Sequence, residues 1–474
     1  MRHDLWTRIV SLVLMVTITV STYASLYGMA FGYSKQMYIR EQLGSHLETV
    51  VDLDNVVDYT WDERNGNTLK FELIDGSTTV YTFSEDVLYR EDGIVKGKDM
   101  SIAEQDKKGL EELGYDYSMA HNDYDVNFST DIAKGIKVLN DNYGYSLIPV
   151  TQNKVNAVGE LIVEDETDVF RYKNAFSNTT TIKYYPQLNG LKEEIVLDKY
   201  ANQNTFQFTL ELKNCHPKLA DDGSLVLYQT EKDKENKEIQ KTVETFSPIF
   251  AYDAASDGEH DGIHYTDDCK YKLEKIDNDT YTLSLIVSKE WLEADTTVYP
   301  VIIDPVTANI SNMKDAPIYE DYPFSGGCAD KTNEVGHTSG YETARSLICF
   351  EIPSSITAGA VINEAKYWTY QVSGGTTSKD IALHLVTSNW SEDVEWDTAP
   401  SFESNYFTVK TVGGRTTADS GSKWFAFDVK TAVERWLSGT PNYGFLMKYN
   451  TETTTLGSKS FANREYRTSS YLPY

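Results

Sequence analysis

The chain has 474 residues with 43 basic and 72 acidic side chains, which gives a formal net charge of −29 at pH 7. Nucleic acids and anionic membranes are recognised by clustered Lys and Arg, so this charge argues against both as partners. It also disfavours a polyanionic glycan unless divalent cations bridge it. The 33 tyrosines, with abundant Thr, Ser and Asn, favour strands and turns.

The N-terminus has the layout of a secretory signal peptide. A short basic segment precedes the uninterrupted apolar run Ile9–Val20, and small residues follow at Ala24 and Ala30. We predict a signal peptide over residues 1–30. The alternative is an uncleaved N-terminal anchor, because the uncharged stretch beyond the run reaches the roughly 20 residues that span a bilayer. Either way, everything from Lys35 onward is expected outside the cytoplasm, secreted or at the cell surface, with membrane contact only through this segment.

Charge and length divide the remaining chain. Roughly 440 residues are enough for two to four domains. Residues 305–474 carry a net charge of −5, whereas the rest of the chain carries −24. We predict a small β-rich domain with one helix over residues 35–149, a β-sandwich-like domain over 150–304, and a third β-sandwich over 305–474. The predicted fold class is therefore mainly β, with tandem, jelly-roll-like sandwich domains.

The first domain contains a hairpin signal and a helix signal. Residues 67–83 alternate between apolar and polar, with Asp75-Gly76 between two strand-like runs. Ser101 and Glu104 form a capping-box pattern, which predicts a helix that ends at Gly114. Further strands are predicted at residues 126–128, 136–139 and 145–148.

The second domain repeats short strands separated by turn residues, a pattern typical of a β-sandwich. One helical turn is predicted at Ser288–Ala294, with Trp291 and Leu292 on its apolar side. The predicted strands are residues 180–185, 193–197, 205–212, 224–228, 281–287 and 297–303.

Four cysteines in an exported chain permit disulfides but form no dense framework. Cys349 lies in the apolar run Leu347–Phe350 and is predicted to be a buried thiol. No pairing is predicted for it or for Cys215, Cys269 and Cys328, and reduced structural cysteines are favoured.

The acidic stretch Asp253–Asp268 gathers eight Asp, Glu and His side chains. Its glycines argue against a helix that would bring His260 and His264 onto one face. It also lacks the ligand spacing of an EF-hand loop. A solvated acidic loop is the favoured interpretation, with Ca²⁺ binding as the alternative and no other cofactor predicted.

No catalytic motif stands out. The chain lacks a nucleophile elbow, a zinc-protease motif and a phosphate-binding glycine loop. Glu392, Asp393, Glu395 and Asp397 surround Trp396, but a glycosidase pair requires a defined separation that sequence does not give. We therefore predict that the protein is not an enzyme.

Five of the eight tryptophans fall in the third domain, and flat aromatic rings are what binding modules stack on sugars. Trp368, Trp424 and Trp436 lie in strand-like or amphipathic helical patterns and are predicted to be core residues. Trp390 and Trp396 lie in a polar loop before Pro400 and are better candidates for exposed or rim positions.

The third domain contains six characteristic segments in order: 344–353 (ARSLICFEIP), 360–365 (AVINEA), 390–400 (WSEDVEWDTAP), 427–436, 442–445 (NYGF) and 461–466 (FANREY). On these segments it resembles the DNRLRE domain, also classed as carbohydrate-binding module family 96, a β-sandwich of secreted bacterial proteins. The resemblance implies a non-catalytic module for polysaccharide or cell-wall glycan. It marks Trp390, Glu392, Trp396 and Asp397 as candidate ligand contacts.

The second domain resembles the segment that precedes this module in Rhs-type and wall-associated repeat proteins. The resemblance rests on Leu191–Leu197, Phe246–Asp253 and Tyr299–Pro305. In that family long repeats and a toxin follow, and neither follows here. A secreted glycan-binding protein is therefore the leading hypothesis. The alternative is a structural or adhesive spacer, or the truncated front part of a longer toxin protein, without glycan binding.

Overall fold

The computed structural model describes residues 55–474 apart from residues 62–66, 92–93, 107, 110–113, 120, 141, 152–156, 165–166, 189, 233–235, 255–264, 305–312, 322–331, 339–341, 355, 416–422, 465 and 467–470. These residues form a mainly β protein of several sheets, which confirms the predicted fold class. The predicted signal peptide or anchor at residues 1–30 lies outside the described residues. No helix among the described residues combines the length and the apolar character needed to cross a membrane.

A small unit contains residues up to Tyr81 together with Leu88–Lys98. Its strands are β1 (Val56–Trp61), β2 (Thr68–Leu73), β3 (Thr78–Thr82), β4 (Leu88–Glu91) and β5 (Ile94–Gly97). The predicted hairpin is confirmed as β2 and β3. Gly76 lies in its turn with φ +80°, where a residue without a Cβ avoids strain, and the amide of Ser77 donates to the Asp75 carboxylate at 2.9 Å.

The larger unit contains Thr82–Val87 and Asp99–Tyr474. Up to residue 304 its strands are β6 (Ala103–Glu104), β7 (Tyr117–Met119), β8 (Asp125–Phe128), β9 (Ile136–Leu139), β10 (Gly144–Pro149), β11 (Gly159–Glu164), β12 (Thr167–Lys173), β13 (Thr180–Gln187), β14 (Gly190–Leu197), β15 (Thr205–Lys213), β16 (His216–Leu219), β17 (Leu225–Lys232), β18 (Glu238–Phe246), β19 (Phe250–Tyr252), β20 (Tyr265–Thr266), β21 (Cys269–Lys275), β22 (Thr280–Val287) and β23 (Val301–Asp304). The predicted helical turn is confirmed as α1 (Lys289–Leu292), which follows Ser288. The strand predicted from Thr297 begins only at Val301.

Two large sheets enclose one core. An eight-stranded sheet has the order β21-β22-β15-β10-β9-β8-β7-β6, and a seven-stranded sheet has the order β11-β12-β13-β14-β23-β19-β20. Alternate residues of β15, among them Phe206 and Phe208, are buried, as expected when one face of a strand is turned to the core. Phe128 of the first sheet stacks on Phe170 of the second with ring centroids 4.9 Å apart, so the sheets pack face to face.

The division predicted between residues 149 and 150 falls inside this sandwich. β10, which ends at Pro149, pairs along its length with β15, and β15 pairs with β22. One continuous core extends from Ile102 to Ile303. Turn residues near residue 150 suggested a domain boundary, but backbone hydrogen bonds join the strands on either side of it into one sheet.

The helix predicted from Ser101 to Gly114 does not begin at Ser101, although Lys108 and Gly109 are helical and residues 107 and 110–113 lie outside the described residues. Ala103 and Glu104 form β6, which pairs with Tyr117 and Ser118 of β7. The amide of Ser101 donates to Asp99, so Ser101 is not the cap of a capping box. Pairing with the edge of the sheet overrides the local helical preference here.

The motif Leu191–Leu197 forms β14, which is buried along almost its whole length between β13 and β23. Lys192 donates to Asp304 of β23, and its ammonium lies 3.8 Å from Glu194. These charges are nearly excluded from water, so they must be paired. Two of the segments that carry the resemblance therefore meet in one buried ion cluster.

The C-terminal strands are β24 (Met313–Tyr319), β25 (Thr332–Thr338), β26 (Glu342–Phe350), β27 (Lys366–Gly374), β28 (Lys379–Leu385), β29 (Thr408–Val412), β30 (Trp424–Asp428), β31 (Phe445–Tyr449) and β32 (Gly457–Ala462). They form a nine-stranded sheet, in which β24 pairs with β26 and β27 pairs with both β30 and β32. The predicted amphipathic helix is confirmed as α2 (Lys430–Leu437), and a 3₁₀ turn covers Trp396–Thr398.

This sheet has apolar residues on both faces. Ile348 of β26 and Met447 of β31 belong to the main core, together with Tyr367 and Phe427. Their neighbours Leu347 and Leu446 point the other way and join a second cluster on the outer face. A sheet with two apolar faces must be shielded from water on both. Residues 386–400 form a loop that packs over the outer face; we call it the cover loop.

Candidate ligand-binding cleft

Trp390 is part of the cover of the outer face and is not an exposed residue. It is 7% exposed and packs in the outer cluster with Leu347, Cys349 and Leu446. Its indole nitrogen donates to the carbonyl of Tyr443 at 2.9 Å. The prediction that Trp390 lies at an exposed or rim position was therefore wrong. Its neighbours in sequence are polar, but the loop packs on the apolar outer face of the sheet.

Trp396 and Asp397 lie further along the same loop. Trp396 is half-buried, and the Arg345 guanidinium lies 4.3 Å from the centre of its ring. Arg345 also donates to both carboxylate oxygens of Glu452, at 2.7 and 3.0 Å. Asp397 is exposed. The half-burial of Trp396 agrees in part with the prediction of a rim position.

The core prediction for the other three tryptophans is correct only in part. Trp368, Trp424 and Trp436 are all half-buried. Trp436 packs against the main core from α2, whereas Trp368 stacks on Tyr474 with centroids 5.9 Å apart. Each ring is thus shared between the protein interior and its surface.

Glu392 connects the loop to two distant parts of the chain. Its Oε2 accepts a hydrogen bond of 2.8 Å from Arg464, and its Oε1 accepts one of 3.1 Å from the amide of Asp315. Arg464 also donates to the carbonyl of Met313 at 3.2 Å. Residues far apart in sequence therefore meet at one arginine.

Beside this arginine lies an open cleft of about 710 Å³, within the size range of small-molecule sites. Charged, polar and aromatic side chains share its wall with apolar ones. Of the six segments that carry the family resemblance, five contribute to the lining: Cys349, Glu392, Trp436, Asn442 and Arg464.

Burial shifts the acid–base properties of this region. It raises the pKa of Glu392, an effect that the positive charge of Arg464 opposes and the nearby Asp315 reinforces. Burial also raises the pKa of Asp315 above its usual range, despite the arginine and the amide of Asn333. The Cys349 thiol has its pKa raised to about 11 by burial, so it is protonated and unreactive at neutral pH. Its predicted burial as a free thiol is confirmed, and Cys215 and Cys269 are free as well.

Of the four predicted contacts, only Glu392 lines the cleft. The carboxylates that surround Trp396 make separate contacts: Glu392 meets Arg464, Asp393 accepts from Ser391, and Glu395 caps the 3₁₀ turn. Sequence reasoning assigned Trp436 to the core and did not single out Asn442 or Arg464. The signal for them was present, since all three lie in the quoted segments.

The acidic stretch Asp253–Asp268 falls mostly on residues 255–264, outside the described residues. Asp253, at its start, is buried and accepts a hydrogen bond of 2.8 Å from the amide of Val298. Among the residues that the structure describes, no three His, Cys, Asp or Glu side chains cluster in a way that could hold a metal ion.

Fold and cleft together define a mainly β protein whose C-terminal sheet borders an open cleft. Residues 307–472 match the family described as carbohydrate-binding module family 96. The match covers the nine-stranded sheet, the cover loop and the cleft. The resemblance read from the six segments is thereby confirmed for this part of the chain.

The chain is also similar to three curated bacterial proteins. It is 27% identical over 349 residues to the tRNA nuclease WapA of Bacillus subtilis strain 168, an alignment that covers 70% of this chain and 13% of that protein. The tRNA(Glu)-specific nuclease WapA of Bacillus subtilis subsp. natto is 28% identical over 295 residues, or 59% of this chain and 12% of that protein. The tRNA3(Ser)-specific nuclease WapA of Bacillus spizizenii is 27% identical over 349 residues, again 70% of this chain and 13% of that protein. The chain thus spans about an eighth of the length of these relatives.

Proposed function

We propose that the protein is a secreted or cell-surface, non-catalytic protein that binds a polysaccharide or cell-wall glycan through its C-terminal module. The observation that carries the proposal is the match of residues 307–472 to a carbohydrate-binding family. The predicted signal peptide supports the extracellular location. No nucleic acid is proposed as a partner of this chain, because its net charge of −29 repels polyanions.

The binding site is the cleft beside Arg464. Trp436 offers an aromatic surface for the C–H face of a sugar ring, while Glu392, Arg464 and Thr440 offer groups that hydrogen-bond with hydroxyls. Trp390 supports the site from below by fixing the loop that carries Glu392. Trp396 and Asp397 are secondary candidates, because they lie on the same loop but do not line the cleft.

Binding is tested with the purified chain on a glycan array and in pull-downs with isolated cell-wall polysaccharide. Ala358 is exposed and lines the cleft, so Ala358→Trp fills it without removing a buried group. Ala360 is exposed but does not line the cleft, and Ala360→Trp is the matched control. We expect the first variant to lose at least tenfold in affinity and the second to bind normally. Failure of the wild-type chain to bind any glycan would refute the function, whereas equal binding by both variants would refute the site.

A second candidate function follows from the relatives. Their similarity covers up to 70% of the chain and so extends well beyond the module. This supports the Rhs-like alternative, in which the chain is the front, structural part of a much longer surface protein. Antibodies against this chain test it on wall and medium fractions of the source cells. A band far above 53.6 kDa supports the alternative, and a band at or below that mass contradicts it.

A further inference from the structure

Two buried oxygen atoms on the inner face of the C-terminal sheet, Asp315 Oδ1 and Asn333 Oδ1, lack hydrogen-bond partners. The buried Tyr367 hydroxyl and Thr369 Oγ1 interact with each other, and neither has a further partner. All four residues are at most 2% exposed. Such atoms are rare in folded proteins because each costs about 1–3 kcal/mol, and an unseen water or ion is a common reason for them. We call this set the interior oxygen cluster.

Strand register brings these atoms together. Asp315 alternates with residues of β24 that face outward, so it points inward like Met313. The Asn333 amide nitrogen donates to Asp315 Oδ2 at 2.8 Å, which fixes the orientation of the amide and leaves its oxygen without a partner. The charge of Asp315 contributes to the raised pKa of Tyr367, which places that hydroxyl nearby. Thr369 follows two residues later on the same face of β27.

From this arrangement we propose that the interior oxygen cluster binds one Ca²⁺ ion, with Asp315 Oδ1 and Asn333 Oδ1 as side-chain ligands. Ca²⁺ prefers carboxylate and amide oxygens and takes neutral oxygens to complete its shell. Asp315 and Asn333 are each buried beyond nine-tenths, and both direct an unpartnered oxygen into the interior. The proposal does not depend on glycan binding.

Arg464 does not donate a hydrogen bond to Asp315 Oδ1. Its Nε lies 3.8 Å from this oxygen, too far for a hydrogen bond. Its terminal nitrogens donate to Met313 and Glu392, and its amide donates to Asp315 Oδ2. Asp315 Oδ1 is therefore open to a further ligand.

The first test measures metal content and thermal unfolding of the full chain. After chelation with EGTA and dialysis, native mass spectrometry in 1 mM CaCl₂ is expected to show one more bound Ca²⁺ in the wild type than in Asp315→Asn. The melting temperature of the wild type is expected to rise by roughly 5 °C or more between EGTA and excess CaCl₂, since a ligand that binds only the folded state stabilises it. Asp267→Asn/Asp268→Asn, in the exposed acidic stretch, is the control and should keep the shift.

A gain-of-function variant keeps the proposal testable if Asp315→Asn fails to fold. Asn333→Asp adds a second carboxylate, and Ca²⁺ affinity increases with the number of charged ligands. We expect at least tenfold tighter Ca²⁺ binding by calorimetry. If the wild type shows no calcium-dependent shift and Asn333→Asp binds no more tightly, a buried water fills the cluster and the proposal is wrong.

Discussion

The indole nitrogen of Trp390 and the backbone carbonyl of Tyr443, 53 positions apart, are joined by a hydrogen bond of 2.9 Å. Lys314 adds to this arrangement, because it donates to the Trp390 carbonyl at 2.6 Å and its ammonium lies 4.4 Å from the ring centre. The loop that carries Glu392 is therefore fixed at Trp390 by two partners. Its position depends on these contacts as well as on those of Glu392 with Arg464 and with the amide of Asp315.

Trp390→Ala is expected to destabilise the protein by about 3–5 kcal/mol, since it opens a cavity in the outer cluster. Trp390→Phe should cost less, because it keeps most of the packing and loses the hydrogen bond to Tyr443. Urea unfolding followed by tryptophan fluorescence measures both. Trp396→Ala is the control, and a cost for it equal to that of Trp390→Ala would contradict the difference in burial.

Arg464→Met is expected to cost roughly 3 kcal/mol, because it removes the guanidinium that pairs with Glu392 and lies beside the buried Asp315 carboxylate. Arg435 makes two hydrogen bonds with Glu403 at the surface, at 2.9 and 2.6 Å. Arg435→Met should cost less than about 1 kcal/mol, as solvent screens exposed pairs. Thermal unfolding at pH 7 compares the two variants. A similar loss in both would show that the Arg464 pair has no special role.

The buried side chain of Glu193 is expected to make the free energy of unfolding depend on pH. Its side chain lies in the core between the two large sheets, and burial raises its pKa to about 7. Between the ordinary pKa of an unfolded Glu and about 7, the folded state binds more protons than the unfolded state. Stability is therefore expected to fall as the pH rises from about 4.5 to 7, and then to level off.

Glu193→Gln should flatten this part of the profile and raise stability at pH 8 relative to the wild type. Denaturant unfolding between pH 4.5 and 8.5 provides the measurement. The surface variant Glu290→Gln, in the same unit, should retain the wild-type slope. Glu244, whose pKa burial also raises to about 7, should leave part of the slope in Glu193→Gln. An unchanged profile in Glu193→Gln would contradict the assignment.

Gly444 is expected to tolerate no side chain. Its φ is +76°, and a Cβ there would lie 2.0 Å from the carbonyl oxygen of Ile348. Gly444→Ala should therefore lower the melting temperature by several degrees or prevent folding. Gly375 has nothing within 4 Å of a built Cβ, so Gly375→Ala is the control and should be nearly neutral. Equal melting temperatures for the two variants would refute the clash.

Sequence patterns were sufficient for many of the strands and for the family that the C-terminal module matches. Alternation such as that of Phe206, Phe208 and Leu210 predicts a strand because it reflects one buried face. The hairpin around Gly76 was equally accessible, since its turn chemistry is local. The resemblance segments identified the module because each contains residues with fixed structural tasks, such as Gly444 and Arg464.

Long-range features were not predictable in the same way. Trp390 was assigned to the surface because its neighbours are polar, and only the outward-facing Leu347 and Leu446 explain its burial. The capping pattern at Ser101 indicated a helix, but pairing with β7 was stronger. The cleft joins residues from Met313 to Arg464, and no local pattern indicates that Glu392 meets an arginine 72 positions later.

The pairing of β10 with β15, and of β15 with β22, determines when the chain can complete its fold. A polypeptide that emerges from its N-terminus presents β10 with an open edge until more than sixty further residues have appeared, and β14 waits still longer for β23. Closing such distant contacts is slow, and open edges invite association with other chains. Folding of this region is thus a late event, and association with other chains competes with it most strongly during that interval.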